Sequence, residues 1–219
     1  MQDENPKFAG WQYASRGDYH RTLDPNWSYT PTYLRKRVHL NAFLDTLAPG
    51  SRTIDVGCGE GVFVEHMRER SFDAIGLDLN YQSELVKRGS VLDIPFASES
   101  FDAALFMDVL EHLKHSDQVP ALSEIRRVLK PGGGLFLTVP NLAHLNSRLR
   151  LILRGKLDRT DKALEHLGER PYWENVDLIE EAGFEIIQTR GITLTLPIVY
   201  RRLICRHAAK LRWLHDAME

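Results

Sequence analysis

Asp55, Asp78 and Asp93 each follow or interrupt a short apolar run, and Asp55 stands just before the turn Gly57-Cys58-Gly59-Glu60-Gly61. Glycine has no Cβ and tolerates positive φ, so such a turn lets the backbone approach a ligand closely. A loop built for phosphate offers N–H groups and usually a lysine or arginine. This turn carries Asp55 and Glu60 with no base between them, which suits a ligand that is positively charged near the turn. The spacing is G-x-G-x-G, with Val62 where a dinucleotide site would place its third glycine, and no P-loop lysine follows.

The other acids extend the same reading. Asp78 ends the run Ala74-Ile75-Gly76-Leu77 about 20 residues past the turn, where a carboxylate can accept hydrogen bonds from a ribose diol. Capping of the next helix would explain it equally simply. Asp93 could accept from an adenine amino group while Leu92 and Ile94 enclose the ring, or it could be a turn residue. A ligand with a cationic end, a ribose and an adenine is S-adenosylmethionine (SAM).

Methyl transfer from a sulfonium needs an aligned nucleophile and, for an oxygen acceptor, removal of a proton. Histidines titrate near neutrality and are the natural bases: His112 after the fourth strand, and His144 and His166 in the later segment where an acceptor pocket would form. Glu111, His112, His115 and Asp117 lack the spacing of a metal site and read as solvated helix residues, so no metal is expected.

The elements that must hold these residues alternate. Strands are expected at 52–56, 74–79, 101–107 and 135–139, with helices near 62–70 and 118–129 between them and another over about 31–47. Lys130-Pro131-Gly132-Gly133-Gly134 reads as a hard break before the strand at Leu135. This rhythm implies βαβ units and a parallel sheet covered on both faces, with ligands outside the carboxyl ends of its strands. A net charge of −2 gives the 219-residue chain no footprint for nucleic acid, and 43% hydrophobic residues suffice for one core. Cys58 and Cys205 form no pair motif, the first residues are polar and acidic, and no apolar run would span a bilayer, so a cytoplasmic protein is expected.

In this order the motifs resemble the class I SAM-dependent methyltransferases, specifically the type 11-like small-molecule branch that includes ubiquinone-biosynthesis and glycan-associated enzymes. The resemblance runs through Asp55-Val56-Gly57-Cys58-Gly59-Glu60-Gly61, Gly76-Leu77-Asp78, Asp93-Ile94-Pro95-Phe96, Val109-Leu110-Glu111-His112-Leu113, Arg127-Val128-Leu129-Lys130-Pro131-Gly132-Gly133 and Glu180-Glu181-Ala182-Gly183-Phe184. It implies a three-layer sandwich around a mostly parallel, seven-stranded Rossmann-like sheet. It also implies SAM as cofactor, S-adenosylhomocysteine as product, and cofactor contacts at Asp55, Gly57 and Gly59 (methionine end), Asp78 (ribose) and Leu92, Asp93 and Ile94 (adenine). Cys58, Gly61, Leu79, Met107 and Asp108 complete the implied cofactor edge. The stretch from Pro140-Asn141 to Asp158, with His166, resembles the glycan-associated subgroup, which implies a glycan-type acceptor.

The expected organisation is an aromatic lid over 1–33, a SAM-binding domain over 34–191 with an acceptor-side insertion at 142–172, and a basic amphipathic segment over 192–219. The lid holds Phe8, Trp11, Tyr13, Tyr19, Trp27, Tyr29 and Tyr33, with Tyr19 and His20 as its candidate catalytic residues. Aromatic faces bind sugar rings or flat acceptors well, though the same residues would also dock the segment on the core. Residues 192–215 and 142–154 interleave arginines with leucines. Such segments lie at a membrane surface, pack on their own sheet, or form a homodimer contact. The activity expected is methylation of an oxygen, or less readily a nitrogen, of a small-molecule or glycan acceptor. A lipid or quinone precursor at the membrane and a non-catalytic SAM-binding regulator are the alternatives. A strand ending in Met107-Asp108-Val109-Leu110 lacks the Pro-Pro motif of amino-methylating nucleic-acid enzymes.

Overall fold

The computed structural model describes residues 30–155 and 166–192. The chain enters on a helix, α1 (Thr30–Leu44), and then alternates: β1 (Arg52–Val56), α2 (Val62–Glu69), β2 (Asp73–Asp78), β3 (Val86–Arg88), β4 (Phe101–Met107), a 3₁₀ turn (Leu110–His112), α3 (His115–Val128), β5 (Leu129–Thr138), α4 (Leu145–Arg154) and α5 (Tyr172–Glu181). The sheet is parallel throughout, in the order β3-β2-β1-β4-β5. The order reverses beside β1, so the carboxyl ends of β1 and β4 diverge there and open a crevice, the usual ligand position in such sheets.

Both faces of the sheet are covered. Ala104 and Phe106 pack with Ile54, Val56, Leu122, Ile125 and Leu178 on the α3/α5 side. Leu105, between them, packs with Leu40, Leu44, Val64 and Met67 on the α1/α2 side. The period of two along a strand therefore feeds alternate side chains into two cores, which is why β4 is apolar almost throughout.

Among the described residues the sheet has five strands, and residues 184–190 form no ladder. One expectation is corrected: the break at Lys130–Gly134 lies inside β5 instead of before it. Phe101 pairs with Leu129 but Ala103 with Gly134, so the glycines form a bulge within one continuous strand. The short strand β3 was not expected at all. Most of the aromatic lid and all but the start of the basic C-terminal segment, including Tyr19 and His20, lie outside the described residues.

Candidate functional site

The glycine turn is tied to the neighbouring strand. Gly57 N–H and Cys58 N–H both donate to the Leu77 carbonyl, at 2.7 and 3.2 Å, and Gly61 N–H closes the turn on the Cys58 carbonyl at 3.0 Å. Gly57 has φ +75°, and a Cβ there would lie 2.4 Å from Val109 Cγ2. Gly59 has φ +54°, with nothing within 4 Å of its Cβ position, so the backbone above it is open to a ligand. Gly61 serves packing instead: it faces Val86 and does not line the groove.

Asp78 is the hinge of this edge. Its Oδ2 accepts from Gly59 N–H at 2.9 Å, and its Oδ1 from Asn80 N–H at 2.8 Å and Tyr81 N–H at 3.1 Å. No helix follows it, so these are bonds to a turn and not a helix cap; a carboxylate has about four acceptor sites, which leaves capacity for a further donor. Asp55 is buried, its Oδ2 meets no donor, and burial, with the Asp78 charge second, raises its carboxyl pKa to about 7. Burial and the same two carboxylates hold the Cys58 thiol protonated.

The residues expected at the adenine end differ in placement. Leu79 and Leu92 are exposed at the groove. Ile94 is 2% exposed and belongs to the core with Leu77 and Phe101, so its side chain cannot face a ring in the groove. Asp93 is exposed, acts on the charge of Arg127 and is not itself among the groove-lining residues. Ser90 and Val91 line the groove in their place. The missed signal is β3: a strand ending at Arg88 puts the next residues, not Asp93, at the sheet edge. Arg127 holds the loop behind them, donating to the Ile94 and Phe96 carbonyls at 2.9 Å each while paired with Glu124 at 2.8 Å.

Across the crevice, Met107 lines the groove, and Asp108 adopts φ +54°, an uncommon conformation for a non-glycine residue. Asp108 accepts from Thr138 Oγ1 at 2.9 Å and forms an ion pair with Lys36 of α1. Lys36 was not anticipated; it brings a cation from the first helix to the ends of the strands.

The acceptor-side candidates converge in part. The His112 and His166 rings meet edge to face with centroids 4.6 Å apart. Glu111, expected as a solvated helix residue, is 3% exposed. Its Oε2 has no hydrogen-bond partner, and burial, then the Asp108 charge, raises its pKa to about 8. His115 is exposed, as expected. His166 Nδ1 lies 2.7 Å from Glu169 Oε1. His144 is used differently: as N-cap of α4 its Nδ1 accepts from Ser147 N–H at 3.3 Å, and burial lowers its pKa. That bond leaves the other ring nitrogen protonated, a donor and not a base.

Two backbone and side-chain ties, neither anticipated, hold the cluster together. Gly168 N–H donates to the Glu111 carbonyl at 2.8 Å. The fully buried Gln118 donates from Nε2 to the Leu110 and Gly168 carbonyls, at 2.9 and 2.8 Å, and accepts from Arg170 at 2.7 Å.

Residues 27–189 match the family model of a methyltransferase domain. The chain is 29% identical over 209 residues to the ubiquinone biosynthesis O-methyltransferase of Thiobacillus denitrificans, covering 83% of this chain and 86% of that protein. It is 30% identical over 139 residues to the enzyme of the same name from Hahella chejuensis, covering 56% of this chain and 57% of that protein. The latter match thus spans little more than half of its relative. A solved SAM-dependent methyltransferase of Thermotoga maritima shares the fold, with TM-score 0.55 at 21% identity over 81% of each chain.

Proposed function

The chain belongs to the class I SAM-dependent methyltransferases, and from that premise we propose that it methylates an oxygen, with nitrogen the lesser option, of a small-molecule or glycan-type acceptor. The observation that carries this reading is one groove lined both by Asp55, the Gly57–Gly59 turn and Asp78 and by Glu111, His112 and His166.

The donor side fits SAM. The orphaned, buried Asp55 Oδ2 suits a cationic donor, the space above Gly59 admits a ligand against the backbone, and Asp78 retains acceptor capacity for ribose hydroxyls. Ser90, Val91 and Leu92 would line the adenine end. When bound, SAM supplies an electrophilic methyl group on a positively charged sulfur. The chain's own work is to orient the donor, exclude water and weaken the acceptor's O–H bond. The last task falls to the Glu111–His112–His166 cluster, where Glu169 orients His166 through a contact to its Nδ1. Ubiquinone-biosynthesis relatives named as O-methyltransferases favour oxygen.

The test is methyl transfer from labelled SAM to a panel of sugars, quinone precursors and lipids. Labelling of a hydroxyl-bearing acceptor is expected; SAM binding without transfer to any of them would favour a regulatory SAM-binding protein instead. A second reading, a lipid or quinone precursor at a membrane surface, draws on α4, where Ile152 and Leu153 are each 79% exposed beside Arg148 and Arg154. Among the described residues no helix is long and apolar enough to cross a membrane, so the contact would be peripheral. Co-flotation with anionic liposomes supports that reading, and its absence retires it.

A further inference from the structure

We infer that the glycine turn exchanges a proton for its ligand's positive charge: Asp55 holds a proton in the ligand-free chain and releases it to solvent as the cationic methionine end of SAM is seated. This deepens the donor assignment made above and rests on it. Asp55 stands near the end of β1, a strand paired on both sides, with Gly76 and Leu105 as its register partners. Its chain neighbours Ile54 and Val56 belong to one core and Leu105 to the other. Asp55, 2% exposed, therefore lies within the packed layers of the sheet.

Hydrogen bonding separates the two carboxylates of this edge. Three N–H groups, from Gly59, Asn80 and Tyr81, donate to Asp78. None reaches Asp55 Oδ2, which is buried with no hydrogen-bond partner. A carboxylate in that state needs a proton or a cation. The groups facing it supply no cation. Asp78 on β2 adds a second negative charge, and Cys58, whose thiol fills the space over Gly76, stays neutral. On the helices packed against that face of the sheet, Lys36 is engaged by Asp108 and His66 by Asn41. The raised carboxyl pKa of about 7 agrees with this arrangement, burial being its larger cause and Asp78 the smaller.

Asp55 lines the groove, which gives its proton a route to solvent and an incoming cation a route to its carboxylate. The O–H bond breaks, its electron pair stays on the carboxylate, and the proton passes to the buffer while the seated cation takes its place as the positive partner. A neutral ligand leaves the proton where it is. The donor site therefore loads less readily in acid, whereas adenosine, which lacks the methionine end, binds without regard to that proton. The competing account has Asp55 ionised throughout, its charge met by water in the groove, and in that case donor binding moves no proton.

The experiment is calorimetry of SAM and of adenosine binding at pH 5, 6 and 7, each in two buffers of different ionisation enthalpy, which counts the protons released. Over this range the donor's ammonium group stays charged, its ordinary pKa being about 8. With Asp55 at about 7, SAM should release about 0.9 proton at pH 6 and about half a proton at pH 7. Its affinity should fall about fivefold from pH 7 to pH 6 and roughly tenfold more to pH 5. Adenosine should release none and keep its affinity. Asp55→Asn cannot ionise, so SAM should bind it without proton release and with little change between pH 7 and pH 5. Adenosine affinity reports whether that variant is folded; should it not be, the wild-type comparison of SAM with adenosine decides. SAM binding to the wild type at pH 6 without proton release, equal release by adenosine, or equal release in the folded variant would overturn the coupling and leave the donor assignment standing. Failure of the wild type to bind SAM at any of these pH values would overturn the donor assignment itself, and the coupling with it.

Discussion

Gly59 N–H donates to Asp78 Oδ2 over 2.9 Å, locking the tip of the glycine turn to the end of the adjacent strand. Asp78 also receives the Asn80 and Tyr81 N–H groups, so one carboxylate fixes the start of two loops. Shape and recognition are thereby coupled: the residue proposed to meet the ribose also holds the turn proposed to meet the methionine end.

Asp78→Ala should therefore weaken both SAM and adenosine. Losing two charge-assisted hydrogen bonds at roughly 1.5–3 kcal/mol each corresponds to about 100-fold or more. Asp55→Asn should weaken SAM while sparing adenosine, which lacks the methionine end. Calorimetry with both ligands checks the pair; wild-type adenosine affinity in Asp78→Ala would refute the ribose assignment.

Gly57→Ala should destabilise the chain by roughly 2–5 kcal/mol. A non-glycine residue at φ +75° is strained, and its Cβ would meet Val109 Cγ2 at 2.4 Å. Adding Val109→Ala should recover the steric part and leave the backbone part. Chemical denaturation of the single and double variants separates them, and a neutral Gly57→Ala would disprove the crowding.

Asp55 also predicts a pH dependence of the ligand-free chain. Its carboxyl pKa, raised to about 7 by burial and then by Asp78, lies above that of an aspartate in the unfolded chain, about 3.9. The folded state thus keeps a proton that the unfolded state has released. The associated stability is fully present below about pH 4 and is lost as pH rises through about 7. Asp55→Asn should flatten that slope. Thermal melts across pH 4–8, read as wild type minus variant, isolate the effect from His66 and His144, whose lowered values act in the opposite sense. A flat difference curve would show that Asp55 is ionised in the folded chain.

The residues proposed for the donor half stand out in the sequence because they are local. Asp55 and the glycine turn are contiguous, and Asp78 ends a strand whose apolar run is plain in the sequence. Strand β4 was legible for the same reason, being apolar on both faces. Ser90 and Val91 were missed because β3 spans only Val86–Arg88, too short to give a period, and its edge falls before Asp93. The bulge in β5 was hidden by Pro131 and three glycines, residues that ordinarily end a strand. Glu111 was misjudged because its burial comes from a distant loop that folds over it, and no spacing between Glu111 and His166 announces that contact.

Gln118 is the clearest test of that distant contact. Its side chain reaches both the Leu110 carbonyl and the Gly168 carbonyl, so it holds the turn bearing Glu111 and His112 against the loop bearing His166. It does not line the groove, which makes it a positioning residue. Gln118→Leu keeps the volume but leaves two buried carbonyls without donors and Arg170 without its acceptor, a cost of roughly 1–3 kcal/mol per group. The expected result is a lowered melting temperature and slowed methyl transfer with nearly unchanged SAM affinity, because the glycine turn is anchored independently through Leu77 and Asp78. Gln118→Glu should restore little, since a carboxylate cannot donate to either carbonyl. A loss of SAM affinity in Gln118→Leu as large as the loss of methyl transfer would show that the two halves of the groove are a single cooperative unit and would overturn the positioning role.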